Sequence, residues 1–142
     1  QYMSAGSGVT HSEFNHSKTE PVHLMQIWIL PLVANAKPRY DQKSFAPEDF
    51  RNKWCLLASQ DGASGSIAIR QDAKLFASHL NKGEQLGYQF GDRRTGLLHV
   101  VKGSVRVGDM TLNNGDALMI QKEKEFYAKA DSASELLFFD LD

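Results

Sequence analysis

A chain of 142 residues with 42% hydrophobic and 23% charged side chains has the composition of one ordinary globular domain with a proper core. Its formal net charge of −1 gives no electrostatic reason to expect nucleic acid or an anionic membrane as a direct partner. The longest apolar run, residues 27–34, is interrupted by Pro31 and falls short of the roughly 20 residues that span a bilayer. A single cysteine, Cys55, and the lack of a visible signal peptide favour a reducing, cytoplasmic location.

The N-terminal stretch carries the most specific pattern of the chain. Gly6 and Gly8 allow a tight backbone course, and two β-branched residues then lead into a His-x-Glu. We therefore predict a glycine turn and a short strand within residues 1–13. Because residues i and i+2 of a strand share a face, His11 and Glu13 should project together. An imidazole and a carboxylate form half of a site for a first-row transition metal, which needs at least one further ligand.

The next segment is predicted to be a buried strand. Residues 22–30 are apolar at nearly every position, which is typical of a strand covered on much of both faces, and Pro31 ends the run. Trp28 in this strand and Trp54 further on are interpreted as core residues. Cys55, within an apolar run, is interpreted as a buried structural thiol.

Short strands and glycine-containing turns are predicted for the rest of the chain. A loop leads to a short helix that begins near Ser44, a plausible cap. Arg93 and Arg94 are interpreted as part of a surface turn. The regular spacing of the strands indicates an antiparallel sandwich or barrel. Residues 73–80 fit either a helix or a strand, and the turn at residues 81–83 favours the strand. The predicted strands cover residues 54–59, 67–71, 73–80, 86–90, 96–102, 104–107, 110–112, 117–121, 126–130 and 136–141.

One arrangement of these strands is more specific. Residues 100–107 (VVKGSVRV) read as a strand, a sharp reversal at Gly103 and a second strand. Gly115 and Asp116 then mark the entry to the next strand. This pattern is similar to the core of the cupin fold, a double-stranded β-helix.

Together these stretches resemble pirin-like proteins, which consist of two cupin domains. The matching residues are 3–13, 20–29, 54–62, 115–117 and 135–141. The resemblance implies an all-β fold, a jelly-roll-like cupin barrel with a short helical or loop insertion. It also implies a division into residues 1–30, a remnant of the N-terminal cupin, and residues 31–142, the C-terminal cupin. Because the chain begins with Gln1 rather than Met, we expect it to be part of a longer polypeptide or a processed product.

The resemblance also implies a metal site. The N-terminal cupin of pirin-like proteins holds a non-haem metal, usually iron, through three His and one Glu. His11 and Glu13 correspond to two of these ligands, and Glu13 would also take the proton of the substrate hydroxyl. The His-x-His pair that supplies the other two has no counterpart here, and neither His16 nor His23 has its spacing. The C-terminal cupin also lacks a His-x-His, so we expect no metal there.

Two functions remain open at this point. The resemblance implies a dioxygenase of the quercetin 2,3-dioxygenase type, dependent on iron or another divalent transition metal and acting on a small aromatic, flavonol-like substrate. Without the His pair, the isolated chain would be weak or inactive. The alternative is a non-catalytic cupin scaffold or a regulatory module of the kind associated with transcription factors. In either case an exposed strand face would favour a homodimer or pairing with a missing cupin half.

Overall fold

The computed structural model describes all 142 residues, and nearly all of its regular structure is β. The two helical segments are single 3-10 turns, Pro47–Asp49 and Ala63–Gly65, and neither has the length or the apolar character needed to cross a membrane. The all-β prediction is therefore confirmed. The strands are β1 (Tyr2–Ser4), β2 (Arg39–Asp41), β3 (Cys55–Ser59), β4 (Ile67–Ala68), β5 (Ala73–Leu80), β6 (Gln85–Gln89), β7 (Thr95–Lys102), β8 (Ser104–Val107), β9 (Met110–Asn113), β10 (Ala117–Ile120), β11 (Glu125–Ala130) and β12 (Ser134–Leu141).

Two sheets make up the body of the fold. One has six strands in the order β10-β7-β12-β5-β3-β4, the other has four in the order β6-β11-β8-β9, and β1 pairs separately with β2. Only β3 and β4 pair in parallel. From β5 to β8, and again from β9 to β12, the chain alternates between the two large sheets. This winding produces a jelly-roll-like barrel.

The space between the sheets is filled by aromatic side chains. Burial alternates along β12, so that Leu136 and Phe138 point inward and are 1% and 0% exposed. The rings of Trp54, Phe76, Tyr88, Phe90 and Phe126 surround Phe138, with centroids between 4.5 and 5.9 Å from its own. Packed side chains therefore occupy the centre of this barrel.

The strands predicted from residue 54 onward are all present. β5 and β8 have the predicted bounds, whereas β4 is shorter than the predicted 67–71. The predicted short helix is the 3-10 turn Pro47–Asp49, but Ser44 is not its cap. The turn starts after Ala46, because Pro47 suits the first helical position. The Ala46 backbone N–H donates to the Asp49 carboxylate at 3.0 Å.

The two strand predictions before Pro31 are wrong. Residues 22–30 form no strand, and Leu24 and Trp28 are 56% and 88% exposed, so Trp28 is not a core residue. A strand requires a neighbouring strand to satisfy its backbone groups, and no strand of the chain pairs with this segment. Residues 9–13 also lack regular structure, and the only short strand in this stretch is β1. Trp54, in contrast, packs against the core as predicted.

Candidate functional site

His11 and Glu13 lie in an exposed segment that follows a tight turn. The turn is closed by the Gly8 N–H, which donates to the Ala5 carbonyl at 2.9 Å. Gly6 has a left-handed φ of +57°, and a Cβ there would overlap the Ala36 carbonyl oxygen. The turn therefore requires glycine. The two candidate ligands follow it with both side chains exposed and do not share the face of a strand.

The chain does not complete a metal site around this pair. No group of three or more His, Cys, Asp or Glu side chains in the structure lies close enough together to hold a metal ion. His16 and His23 are both exposed and do not join the pair. One imidazole and one carboxylate are fewer donors than protein sites for first-row metals normally use. The residues present therefore do not fit a complete metal centre, and whether they ligate a metal remains a prediction.

A charged network lies at one end of the barrel and was not foreseen from the sequence. Asp140 is 1% exposed, accepts a hydrogen bond from the Tyr88 hydroxyl at 2.6 Å and one from the Arg94 Nε at 2.8 Å. Arg94 also donates to the Asp72 carboxylate at 2.8 Å and to the Asp140 carbonyl at 2.9 Å. Lys74 approaches Asp140 at 3.8 Å from a half-exposed position. Both carboxylate oxygens of the buried acid are thus paired.

The network keeps Tyr88 protonated and Arg94 charged. Burial, and then the hydrogen bond to Asp140, raise the pKa of the Tyr88 hydroxyl well above its ordinary value. Burial lowers the pKa of Arg94, but its bonds to Asp140 and Asp72 outweigh that effect and raise it overall. Every group in the network has a partner, so the arrangement braces the end of the barrel rather than presenting a free acid or base.

The interpretation of both arginines as a surface turn holds for only one of them. Arg93 is exposed, with a left-handed φ of +60°. The Arg94 side chain is only 13% exposed and holds the two carboxylates. A signal for this was available, because Asp140 falls at i+2 from Phe138 and i+4 from Leu136, on the inward face of β12. An acid at such a position requires a cationic or hydrogen-bonding partner.

The thiol of Cys55 lies at the start of β3 and is half-buried rather than fully buried. Burial, followed by the nearby charge of Asp49, raises its pKa, so the thiol stays protonated near neutral pH. This environment fits the structural role predicted for it.

Two family models match the chain. Residues 56–141 match a model described as the quercetinase C-terminal cupin domain, and residues 1–29 match a model described as pirin. The first match covers more than half of the chain. The stretch that contains His11 and Glu13 thus falls in one model and the barrel in the other.

Curated relatives agree with these models. The chain is 40% identical over 141 residues to a quercetin 2,3-dioxygenase of Escherichia coli, and 35% identical over 142 residues to a pirin-like protein of Caulobacter vibrioides. Both alignments include 99% of this chain but only 60% of the relative. The chain therefore spans about 60% of the length of the curated relatives it matches.

Solved structures show the same fold. The crystal structure of YhhW from Escherichia coli superposes with a TM-score of 0.76 at 35% identity, over 81% of this chain and 48% of that one. A structure of bacterial pirin YhhW in complex with nickel(II) gives a TM-score of 0.74 at 36% identity, over 80% of this chain and 48% of that one. The cupin prediction is therefore confirmed, and the chain belongs to the pirin family of cupin proteins related to quercetin 2,3-dioxygenases.

Proposed function

We propose that this chain forms part of a metal-dependent dioxygenase of the quercetin 2,3-dioxygenase type, in which it supplies two ligands and a closed supporting cupin. The observation that carries the proposal is the coexistence of a pirin-type His11 and Glu13 pair with a chain that has no third donor beside it. The remaining donors would come from protein outside these 142 residues. The matches at residues 1–29 and 56–141 support the predicted division into residues 1–30 and 31–142.

The proposed cofactor is iron or another divalent transition metal, in line with the nickel(II) named for the related pirin structure. The proposed substrate is a small aromatic molecule of the flavonol type, as the names of the curated relatives suggest. His11 would contribute an imidazole nitrogen and Glu13 a carboxylate oxygen. A carboxylate at that position could also accept a proton from a substrate hydroxyl. The packed C-terminal barrel would hold no substrate and would instead support this segment.

A chimera tests the proposal directly. The part of the Escherichia coli relative that lies outside the matched region would be joined to this chain, and iron content and quercetin consumption would be measured with the unfused chain as reference. We expect the unfused chain to retain little iron, and the chimera to bind about one iron and consume quercetin. His11→Ala and Glu13→Gln in the chimera should each remove most of both signals, whereas His16→Ala should not. A chimera that folds and turns over quercetin equally well with either ligand substituted would overturn the proposal.

The closed barrel supports a second candidate, a non-catalytic scaffold or regulatory module. Aromatic rings occupy its interior, and every group of its buried charged network has a hydrogen-bond partner. These features stabilise the domain and leave no free acid or base inside it. In this case the apolar segment 22–30 would cover a partner surface, in a homodimer or against another cupin. A folded chimera that binds iron without consuming quercetin would favour this function.

A further inference from the structure

A cavity lies apart from the candidate ligands, between the N-terminal segment and the end of the six-stranded sheet. Its volume is about 350 Å³. Met25 and Ile27 line one side, and Leu57, Ile67 and Leu75 of β3, β4 and β5 line the other. The volume lies within the range of roughly 300–1,000 Å³ that is usual for small-molecule sites. Neither His11 nor Glu13 lines it, so the cavity is separate from the proposed metal ligands.

The charged residues of this cavity are all positive. Most of its lining is apolar, but Lys43 and Arg70 also line it, and no Asp or Glu does. Arg70 is half-buried and donates from Nη1 to the Ser4 hydroxyl at 3.2 Å. Lys43 donates to the Gly65 carbonyl. Neither cation belongs to any ion pair of the structure.

A half-buried cation without an ion-pair partner, Arg70, lies beside an apolar wall and indicates the chemistry of an occupant. Lys43 is exposed and lies over the Phe45 ring, 5.0 Å from its centroid, so it adds a second positive charge that water already solvates. A half-buried guanidinium without a carboxylate partner still has donors free, and a planar anion satisfies them in pairs. A wholly apolar molecule would cover the wall but leave the half-buried charge of Arg70 without an anionic partner. A small hydrophilic anion would pair with the charges but gain nothing from Leu57, Ile67 and Leu75.

We propose that this cavity binds a small molecule with a flat apolar body and one carboxylate group. The body would contact the side chains of β3 to β5, and the carboxylate would pair with Arg70 and Lys43. The proposal rests only on the lining and charge of the cavity. It is independent of whether His11 and Glu13 hold a metal.

The first test compares two probes of nearly the same shape on the unmodified chain. Isothermal titration calorimetry would measure the affinity for 2-naphthoate and for the neutral 2-naphthamide. We expect the carboxylate to bind about tenfold more tightly, a difference of one charge-assisted contact, and its advantage to shrink in high salt. Equal affinities for the two probes would overturn the proposal.

Variants then locate the site. Arg70→Gln should weaken 2-naphthoate binding about tenfold with little effect on 2-naphthamide, and Arg70→Lys should restore part of the loss. The matched control is Lys82→Gln, which removes a positive charge from an exposed turn that does not line the cavity. Leu57→Trp, which fills the cavity, should abolish binding of both probes. Unchanged binding by Leu57→Trp, or an equal loss in Lys82→Gln, would place the probes elsewhere. Thermal melting checks that each variant folds. The comparison of the two probes uses the unmodified chain, so it does not depend on the variants.

Discussion

Asp140 lies at an inward position of β12 with both carboxylate oxygens paired, to Tyr88 and to Arg94. Replacing it by Asn removes the charge that compensates the largely buried guanidinium and offers that guanidinium an amide donor in place of one acceptor. Because breaking one side of a buried pair leaves an uncompensated charge, we expect Asp140→Asn to lower the free energy of unfolding by about 3 kcal/mol. Urea unfolding followed by circular dichroism measures the change.

A matched control removes an acid from an exposed ion pair. Arg106 and Asp131 contact each other at 2.9 Å with side chains 51% and 36% exposed. Asp131→Asn should change the urea midpoint only slightly, since exposed pairs are screened by water and salt. If the two substitutions lower the free energy of unfolding by similar amounts, the buried network around Asp140 does not contribute the extra stability inferred for it.

Tyr88 should make the fold sensitive to alkali. Its pKa is raised in the folded chain above the ordinary value of 10.0, mainly by burial, so the folded state keeps a proton that the unfolded state loses. Its contribution is therefore complete below pH 10 and declines as the pH rises above it, by at most about 1.4 kcal/mol per pH unit. Tyr88→Phe should cost about 2 kcal/mol at neutral pH and flatten this decline. Urea unfolding at pH 8 and pH 11 measures the loss of stability and its decline with pH. Tyr40→Phe, at an exposed position, should leave the decline with pH unchanged.

At the scale of elements, the reversal between β7 and β8 depends on Gly103. Its φ is +91°, and a Cβ there would overlap the Ala133 carbonyl oxygen of the neighbouring chain segment. Gly115 has a similar φ of +89° but open space around it. Gly115→Ala should therefore cost only the backbone strain, about 1–2 kcal/mol, whereas Gly103→Ala should cost about 1–3 kcal/mol more. Chemical unfolding of the pair separates the two effects, and equal losses would contradict the steric argument.

Strands whose pairing partners lie in the same chain could be predicted from the sequence. The predicted bounds of β5 and β8 match the observed ones because turn residues flank both strands, and because their pairing neighbours belong to the same chain. Residues 22–30 show the limit of this reasoning. Their apolar pattern is that of a buried strand, but no strand of the chain pairs with them. An apolar pattern records what a segment can bury, not whether a partner is present.

The candidate site was predictable only in part for a related reason. The residue types of His11 and Glu13 could be identified from the pattern, but their shared orientation depended on a strand that does not form here. The bonds between Arg94, Asp72 and Asp140 join residues 22 and 46 positions apart. Such long-range pairs become visible only when the topology of the sheet is known. The cavity near Arg70 is likewise assembled from segments distant in sequence.

For the whole molecule, the fold has a packed barrel at one end of the chain and, at the other, an apolar segment with which no strand pairs. Leu24, Trp28 and Leu30 are 56%, 88% and 85% exposed, whereas Leu98, Leu136 and Phe138 of the barrel are at most 1% exposed. Contiguous apolar exposure of this kind is typical of an interaction surface. The exposed segment begins nine residues after Glu13.

We expect the isolated chain to self-associate through residues 22–30, because another copy can cover the side chains that its own fold leaves in water. Sedimentation velocity over a range of micromolar concentrations should show a dimer that Leu24→Glu weakens at least about tenfold, since a charge buried at an interface is costly. Lys82→Glu, in an exposed turn, should leave the dimer intact. In the chimera with the Escherichia coli segment, the same surface should be covered within one polypeptide and self-association should be lost. A chain that stays monomeric at every concentration, or a dimer insensitive to Leu24→Glu, would show that this segment is not the interface.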